Sequence, residues 1–374
     1  MVRFYRVLFL IGILIPQCGR AQTMDCEQTI ALATEEFNAG HFYNVPSLLN
    51  DCLSSFNRDQ RQRAFLLLTQ TYLFLDDPIG AQRSFLEVLS ANPEFVTDPQ
   101  LHPIDVVYLS KKFTATPKFS WFVGAGSNVS PVRVILERKT TANETKSYIL
   151  KPGYQLGLGG EYSYNDNIKV RIEANFLQTS YKVQVDSIFR NDNRTFTDRQ
   201  TWVNIPFYVC YSDNIGKYRP YGYAGYSFSN LFSDKASMTL QKVQGKGEEA
   251  ESIEVSSPDF DFLTRRNRIN QSVIFGAGVK YKIGLDFVFF DVRYSAGLKN
   301  VVHPDYVYAN PTYNPTLNSW VESSTPVTGY GHVDDYIRLD NLSFTMGFLR
   351  PLYKPRELKR ARTKSVLRKM KQGK

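Results

Sequence analysis

The stretch that most constrains the fold runs from Asn270 to Leu298, because it reads as two long alternating strands with almost no loop between them. In the first half Val273, Phe275, Ala277, Val279, Tyr281 and Ile283 share one face, while Ser272, Gly276, Gly278, Lys280 and Lys282 share the other. In the second half Phe290, Val292, Tyr294, Ala296 and Leu298 alternate with Asp291, Arg293, Ser295 and Gly297. Period two is the mark of a strand whose two faces meet different surroundings. Each half has about the 9 to 11 residues that a tilted strand needs to cross a bilayer. Ile283-Gly284-Leu285 leaves room only for a tight turn. The segment fits a membrane-spanning hairpin, and also a long hairpin of a soluble sandwich.

Connection lengths separate the two. After Pro117, strand signals run through Phe119–Ala125, Tyr154–Tyr162, Ile168–Phe176, Val203–Tyr211, Tyr218–Phe228 and Leu342–Phe348, which with the hairpin makes eight. In Tyr218–Phe228 tyrosine and glycine are so mixed that the pattern assigns no faces. The connections 128–150, 186–197, 229–269 and 299–335 are long and polar, and those between them, at 165–167, 212–217 and 283–284, are short. Short turns on one side and long loops on the other, with an even strand number, is the layout of outer-membrane barrels. A Greek-key sandwich has no reason to sort its loops this way. The expected second domain, residues 117–353, is therefore an eight-stranded antiparallel transmembrane β-barrel. Both its ends fall on the short-turn side, which makes whatever precedes and follows it periplasmic.

Residues 1–21 read as a secretory signal peptide, with Arg3 and Arg6 before an apolar run and Gly19-Arg20-Ala21 as the cleavage site. Cys18 lacks the small residues that precede a lipoprotein cysteine. No later run is long enough for a transmembrane helix. The chain's formal charge of +9 lies wholly in the tail 354–374, where ten Lys or Arg face one Glu. Such a block reads as a solvated tail or as a dock for anionic lipid or an acidic partner.

From Cys26 to Phe113 the period is helical. Ile30, Ala33 and Phe37, then Val45, Leu48, Leu49 and Cys52, flank a break at Asn38-Ala39-Gly40. Phe65, Leu68 and Tyr72, then Ala81, Phe85 and Val88, flank Asp76-Asp77-Pro78, and Pro93 ends the run. Phe65, Leu68, Tyr72, Ala81, Phe85 and Pro93 resemble the signature of the tetratricopeptide repeat, and the two helix pairs are offset by 36 residues, near the repeat's length of about 34. Residues 22–116 are thus expected to form a small all-α, TPR-like module closed by a helix near 103–113. That resemblance implies a groove for a peptide or protein partner. Cys26 and Cys52, at the start and end of one helical hairpin, are expected to form a disulfide, leaving Cys210 free.

The strands in turn resemble the PorT-like outer-membrane β-barrel domains common in the Bacteroidetes. The likeness rests on WVNIPFYVCY (Trp202–Tyr211), RPYGYAGYSFS (Arg219–Ser229), FGAGVKYKIG (Phe275–Gly284), DVRYSAGLKNV (Asp291–Val301) and DNLSFTMGFL (Asp340–Leu349). It implies an outer-membrane location in a Gram-negative bacterium; the family takes its name from a factor of the type IX secretion system. Pro206, inside a strand, is expected at an edge or a bulge.

Lys169, Arg171, Glu173, Glu161, Lys280, Lys282, Asp291 and Arg293 fall on the faces turned from lipid, a mixture of signs that suits a closed, salt-bridged lumen rather than a channel. An enzymatic alternative rests on the last loop, where His303, Asp305, His332, Asp334 and Asp335 loosely resemble the Asp and His groups of omptin-type proteases. Gly157, Gly159 and Gly160 imitate a nucleotide loop without the helix that must follow it. His41 and His102 sit at helix edges, and no metal-ligand spacing is present. The expectation is a non-enzymatic outer-membrane anchor without cofactor or nucleic-acid partner. It would hold a periplasmic module that binds an envelope protein, in envelope assembly or secretion. A rim hydrolase and an adhesin acting through the long loops are the alternatives.

Overall fold

A computed structural model describes residues 23–138, 144–187, 192–244, 251–304, 311–314, 319–322 and 333–358. The signal segment, Asp305, His332 and the tail beyond Leu358 lie outside the described residues. The chain divides into two compact units, 118–352 and 1–117 together with 353–374.

The helical unit holds α1 (Thr23–Asn38), α2 (Asn44–Asn50), α3 (Arg58–Phe74), α4 (Pro78–Ala91) and α5 (Ile104–Ser110). Local chemistry sets the ends. Asn57 and Gln60 form a reciprocal capping box on α3, and Asp77 caps α4 with Pro78 in its first turn. Ile30, Ala33, Val45, Leu49, Ala64 and Leu68 form one core, and Ala81, Phe85, Leu89, Val106 and Leu109 a second. Of the repeat-signature residues, Leu68, Ala81 and Phe85 are buried, with Phe65 and Tyr72 packed at the core margins and Pro93 half-buried. The unit is completed by β1 (Phe113–Thr114), which pairs with β16 (Arg356–Glu357). The first residues of the basic tail are therefore hydrogen-bonded backbone rather than solvated coil.

The second unit contains β2 (Phe119–Val129), β3 (Val132–Leu136), β4 (Glu144–Ser163), β5 (Ile168–Ser187), β6 (Asp192–Ser212), β7 (Tyr218–Gln244), β8 (Glu251–Ser256) and β9 (Phe260–Asp261). It continues with β10 (Ile269–Ile283), β11 (Asp286–Gly297), β12 (Pro311–Asn314), β13 (Ser319–Glu322), β14 (Tyr336–Leu339) and β15 (Asn341–Leu352). Strands β2, β4, β5, β6, β7, β10, β11 and β15 pair antiparallel in that order, and β15 returns to β2, so the sheet closes on itself. Closure leaves no unpaired edge, the condition for crossing hydrocarbon with strands. Ile283 pairs with Asp286 across Gly284-Leu285, and Gly284 takes the left-handed conformation (φ 61°) that such a turn needs. Phe119 pairs with Leu352 on the same rim as the three short turns.

The alternation separates two surfaces. Val123, Leu156, Ile172, Ile205, Phe207, Phe275, Phe290, Val292, Phe344 and Met346 lie exposed on the outside as an apolar band. Phe119 and Tyr162, 5.1 Å apart, and Tyr218 and Tyr281, 5.2 Å apart, border it near the short turns. Aromatic borders of this kind mark membrane interfaces.

Two expectations are corrected, and one open assignment is filled in. The connections read as long loops are largely strand: β4, β5, β6 and β7 run well past the band, so that β5 and β6 approach within a few residues of each other at their far ends. Their outward residues there are polar because they face water, which disguised them as loop, yet Tyr181, Val183 and Val185 keep the inward phase of Arg171 and Glu173. Pro206 sits in an interior strand, at neither edge nor bulge. Pairing of β5 with β6 lapses between Ile172–Phe207 and Asn175–Asn204, on the side where Pro206 has no N–H to donate. The faces left open in Tyr218–Phe228 are given by the fold: Tyr221 and Tyr223 point inward while Tyr218 and Phe228 lie outside, and a bulge after Leu231 then turns Asp234, Ala236 and Met238 inward.

Val292 is 45% exposed at mid-band and Ser295 faces the interior. Val292→Arg is expected to destabilise the inserted barrel by about 2–4 kcal/mol, and Ser295→Ala by less, read by urea unfolding in lipid vesicles. Equal losses would reverse the assignment of faces.

Candidate functional site

Inside the barrel, near the short-turn rim, the side chains form one polar assembly. Glu161 of β4 accepts from Arg171 Nε at 2.5 Å and from Lys280 Nζ at 2.7 and 3.0 Å, with Lys169 Nζ 3.4 Å away. Glu173 of β5 is gripped at both oxygens by the Arg293 guanidinium (2.8 and 3.0 Å) and also accepts from Asn175 and Tyr208. Asp291 accepts from the hydroxyls of Tyr221 (2.9 Å) and Tyr223 (2.6 Å), and Tyr223 accepts from Arg293 Nε. Arg171, 1% exposed, stacks its guanidinium 4.9 Å from both the Phe122 and Tyr221 ring centres. Glycine makes room for this. A Cβ on Gly276 would strike the Tyr223 ring and one on Gly278 the Tyr221 ring.

Of the eight charged residues read from the sequence as facing the lumen, Lys169, Arg171, Glu173, Glu161, Lys280, Asp291 and Arg293 thus meet in one network. Sequence reasoning missed the apolar share of the interior: Tyr208, Tyr221, Tyr223 and Ile274 form one buried cluster, and Phe122, Phe287, Phe289 and Leu349 another. Their signal was the inward phase they share with the charges. Above the network lies a cavity of about 40 Å³ lined by amides and hydroxyls, including Gln155, Asn175, Asn204, Asn270 and Ser272. It has room for a few waters.

Beyond the apolar band the extended strands enclose a second core of Tyr181, Val183, Val185, Phe196, Trp202, Phe262, Val301 and Ile337. At its centre Arg266 donates to Asp198 (2.8 Å) and Asp234 (2.9 Å), with Asp334 3.4 Å away. Tyr181 OH also donates to Asp198, at 2.6 Å. Burial, and then the Asp198 carboxylate, push the Asp234 carboxyl well above the usual aspartate range against the pull of Arg266. Asp335 accepts from Lys146 Nζ (2.8 Å), Tyr148 OH and the Arg138 amide. The two acids of the protease-like set that the structure describes are therefore bound up in the packing of this cap. His303 donates its amide to the Arg265 carbonyl. Among the described residues no cluster of potential metal ligands occurs.

Glu161→Gln strands the Lys280 and Arg171 charges and is expected to cost about 3–5 kcal/mol, measured by denaturant unfolding in detergent. Lys280→Met added to it should recover part of that loss. Asp234, with its pKa raised by folding, contributes stability that is complete below the ordinary aspartate pKa and lost as pH rises through the folded value. Once exchange is corrected for its intrinsic pH dependence, the protection of β6 and β7 should therefore rise on acidification, and Asp234→Asn should give the higher protection at neutral pH and abolish that remaining dependence.

Comparison with known proteins agrees with this architecture. Among solved structures, OprG from Pseudomonas aeruginosa is 11% identical, with 64% of this chain and 98% of OprG covered and a TM-score of 0.34. Ail of Yersinia pestis is 12% identical (62% and 99% covered, TM-score 0.26), and the outer membrane protease OmpT from Escherichia coli 8% (64% and 98%, TM-score 0.27). Scores this low carry no argument about function. No curated protein matches the chain. Residues 112–303 match the outer membrane protein beta-barrel domain, more than half of the sequence. With that match and its closed antiparallel sheet, the chain belongs to the outer membrane protein beta-barrel family and is placed in the outer membrane.

Proposed function

We propose that the chain is a non-enzymatic outer-membrane anchor: a sealed eight-stranded barrel, short turns toward the periplasm, that presents a TPR-like helical module there to an envelope protein. The filled interior carries the reading. Paired charges and stacked aromatic rings occupy the lumen from Glu161 to Arg293, and the cap core occupies the far end. Such an interior supports holding rather than transport. The engagement of Asp334 and Asp335 in ion pairs supports a structural role over hydrolysis at the rim. The PorT-like resemblance makes envelope assembly or secretion the natural setting.

The helical unit offers a surface for such a partner. Phe42 and Phe74 stack face to face at 4.9 Å with Phe37 edge-on to both, and Tyr43 beside them is 84% exposed. Exposed aromatic clusters are where interfaces concentrate their binding energy. In cross-linking and co-purification from the full-length chain, Tyr43→Asp with Phe74→Asp is expected to weaken partner recovery by about 2 kcal/mol or more. A partner set unchanged by that variant, and by removal of residues 22–116, would transfer the binding role to the barrel.

Cys26 Sγ and Cys52 Sγ lie 2.6 Å apart, with Ser55 Oγ 3.2 Å from Cys26, and both cysteines stand as thiols. After export we expect them to be oxidised to a disulfide, adding about 3–4 kcal/mol to the helical unit. Mass spectrometry of non-reduced protein should find neither alkylated; an alkylated Cys26 would refute the pairing.

A further inference from the structure

Three cations, Lys151, Arg199 and Lys235, stand in line across the outer face of the barrel unit, just beyond the apolar band. Lys151 of β4 pairs with Ser180 of β5, Ser180 with Arg199 of β6, and Arg199 with Lys235 of β7. Neighbouring strands are about 4.8 Å apart, so the row spans roughly 15 Å, and Lys182 stands about 7 Å from Ser180 on the same face. These residues point outward because the alternate positions, Tyr181, Asp198, Gln200 and Asp234, are buried inside. Those two carboxylates belong to Arg266, and none of the three cations or Lys182 forms an ion pair among the described residues. Burial, followed by the charges of Lys182 and Arg199, holds the Lys151 ammonium below its ordinary pKa. Around Lys151, Lys182 and Arg199 the neighbours are hydroxyls and amides, Gln178, Ser180, Thr197 and Thr201, which add donors, while Asp261 stands across from Lys235 at the end of the row.

Further along the same two strands the surface turns apolar and concave. Leu156 and Leu158 of β4, Ala174 and Phe176 of β5, Ala125 of β2 and Met346 of β15 line an outward-facing hollow of about 830 Å³. Short side chains at Ala125 and Ala174 between longer ones create it. A single strand pair therefore carries an anion-attracting patch at one level and a lipid-depth hollow at the next.

We propose that this face docks one outer-leaflet lipid with a phosphorylated headgroup, its phosphate across Lys151, Lys182 and Arg199 and an acyl chain in the hollow beneath. The inference rests on the orientation proposed above, with the extended strands outside the cell. Phosphate fits because its oxygens can take the Arg199 fork, lysine point charges and hydroxyl donors together. The patch sits next to the last exposed aromatic residues, Tyr154 and Phe176, the depth at which headgroups lie.

The test uses full-length protein in detergent, with native mass spectrometry reading the lipid retained from equimolar bisphosphorylated lipid A, dephosphorylated lipid A and phosphatidylethanolamine. The phosphorylated form should be retained selectively, and each step toward Lys151→Gln/Lys182→Gln/Arg199→Gln should weaken retention roughly fivefold. Arg350→Gln, at the opposite rim, should change nothing. Ala174→Trp, which fills the hollow, should also lower retention, and inorganic phosphate should compete poorly because it lacks the chain. Equal retention of the dephosphorylated form, an unaffected triple variant, an unaffected Ala174→Trp or full competition by phosphate would each overturn the proposal. Labelling of Thr145→Cys by an impermeant maleimide on intact cells separates the causes. A labelled rim with unaffected lipid sinks the docking site and spares the orientation, whereas an unlabelled rim sinks both.

Discussion

A sheet that crosses hydrocarbon can leave no backbone edge unpaired, and a narrow barrel that meets this condition must also neutralise whatever its inner face carries. Here the second demand falls on Glu161 and Glu173. Each is a carboxylate held by cations from distant strands, Lys280 on β10 and Arg293 on β11, so the same ion pairs that settle the interior tie opposite walls together. Arg171 joins the two halves of the problem, since its guanidinium satisfies Glu161 and lies against Phe122 and Tyr221. Removing Glu161 strands both Arg171 and Lys280, and removing Arg293 takes from Glu173 the cation that grips both its oxygens.

The cap repeats this logic outside the membrane with the opposite balance. Three carboxylates, Asp198, Asp234 and Asp334, converge on one guanidinium, Arg266, inside an apolar shell. One cation cannot compensate three buried anions, and Asp234 resists ionisation as a result. Between the charged network at one end and this core at the other, the described residues enclose a small polar space lined by Gln155, Asn204 and Asn270.

The residues with catalytic looks illustrate how placement overrides residue type. Asp334 and Asp335 sit one or two positions before β14, where Arg266 and Lys146 hold them in ion pairs. The outward faces, by contrast, gather unpaired features: the Lys151–Lys235 row on one unit, and Tyr43 beside stacked Phe42 and Phe74 on the other.

The barrel was legible in the sequence because period two survives wherever one strand face meets lipid, and the Val292/Arg293 and Phe275/Gly276 contrasts are strong. The helix break at Asp77 was legible for a similar reason: capping is local chemistry. The lumen charges could be identified, but not matched, because Glu161 and Lys280 are 119 residues apart and only closure of the sheet brings them together. The cap escaped notice because, outside the membrane, water accepts polar residues on the outer face and removes half of the alternation. The bulge that rotates β7 hid the rest. What the chain is made of determined that it would close into a barrel; which charge meets which, and which surface is left open, was decided by the fold.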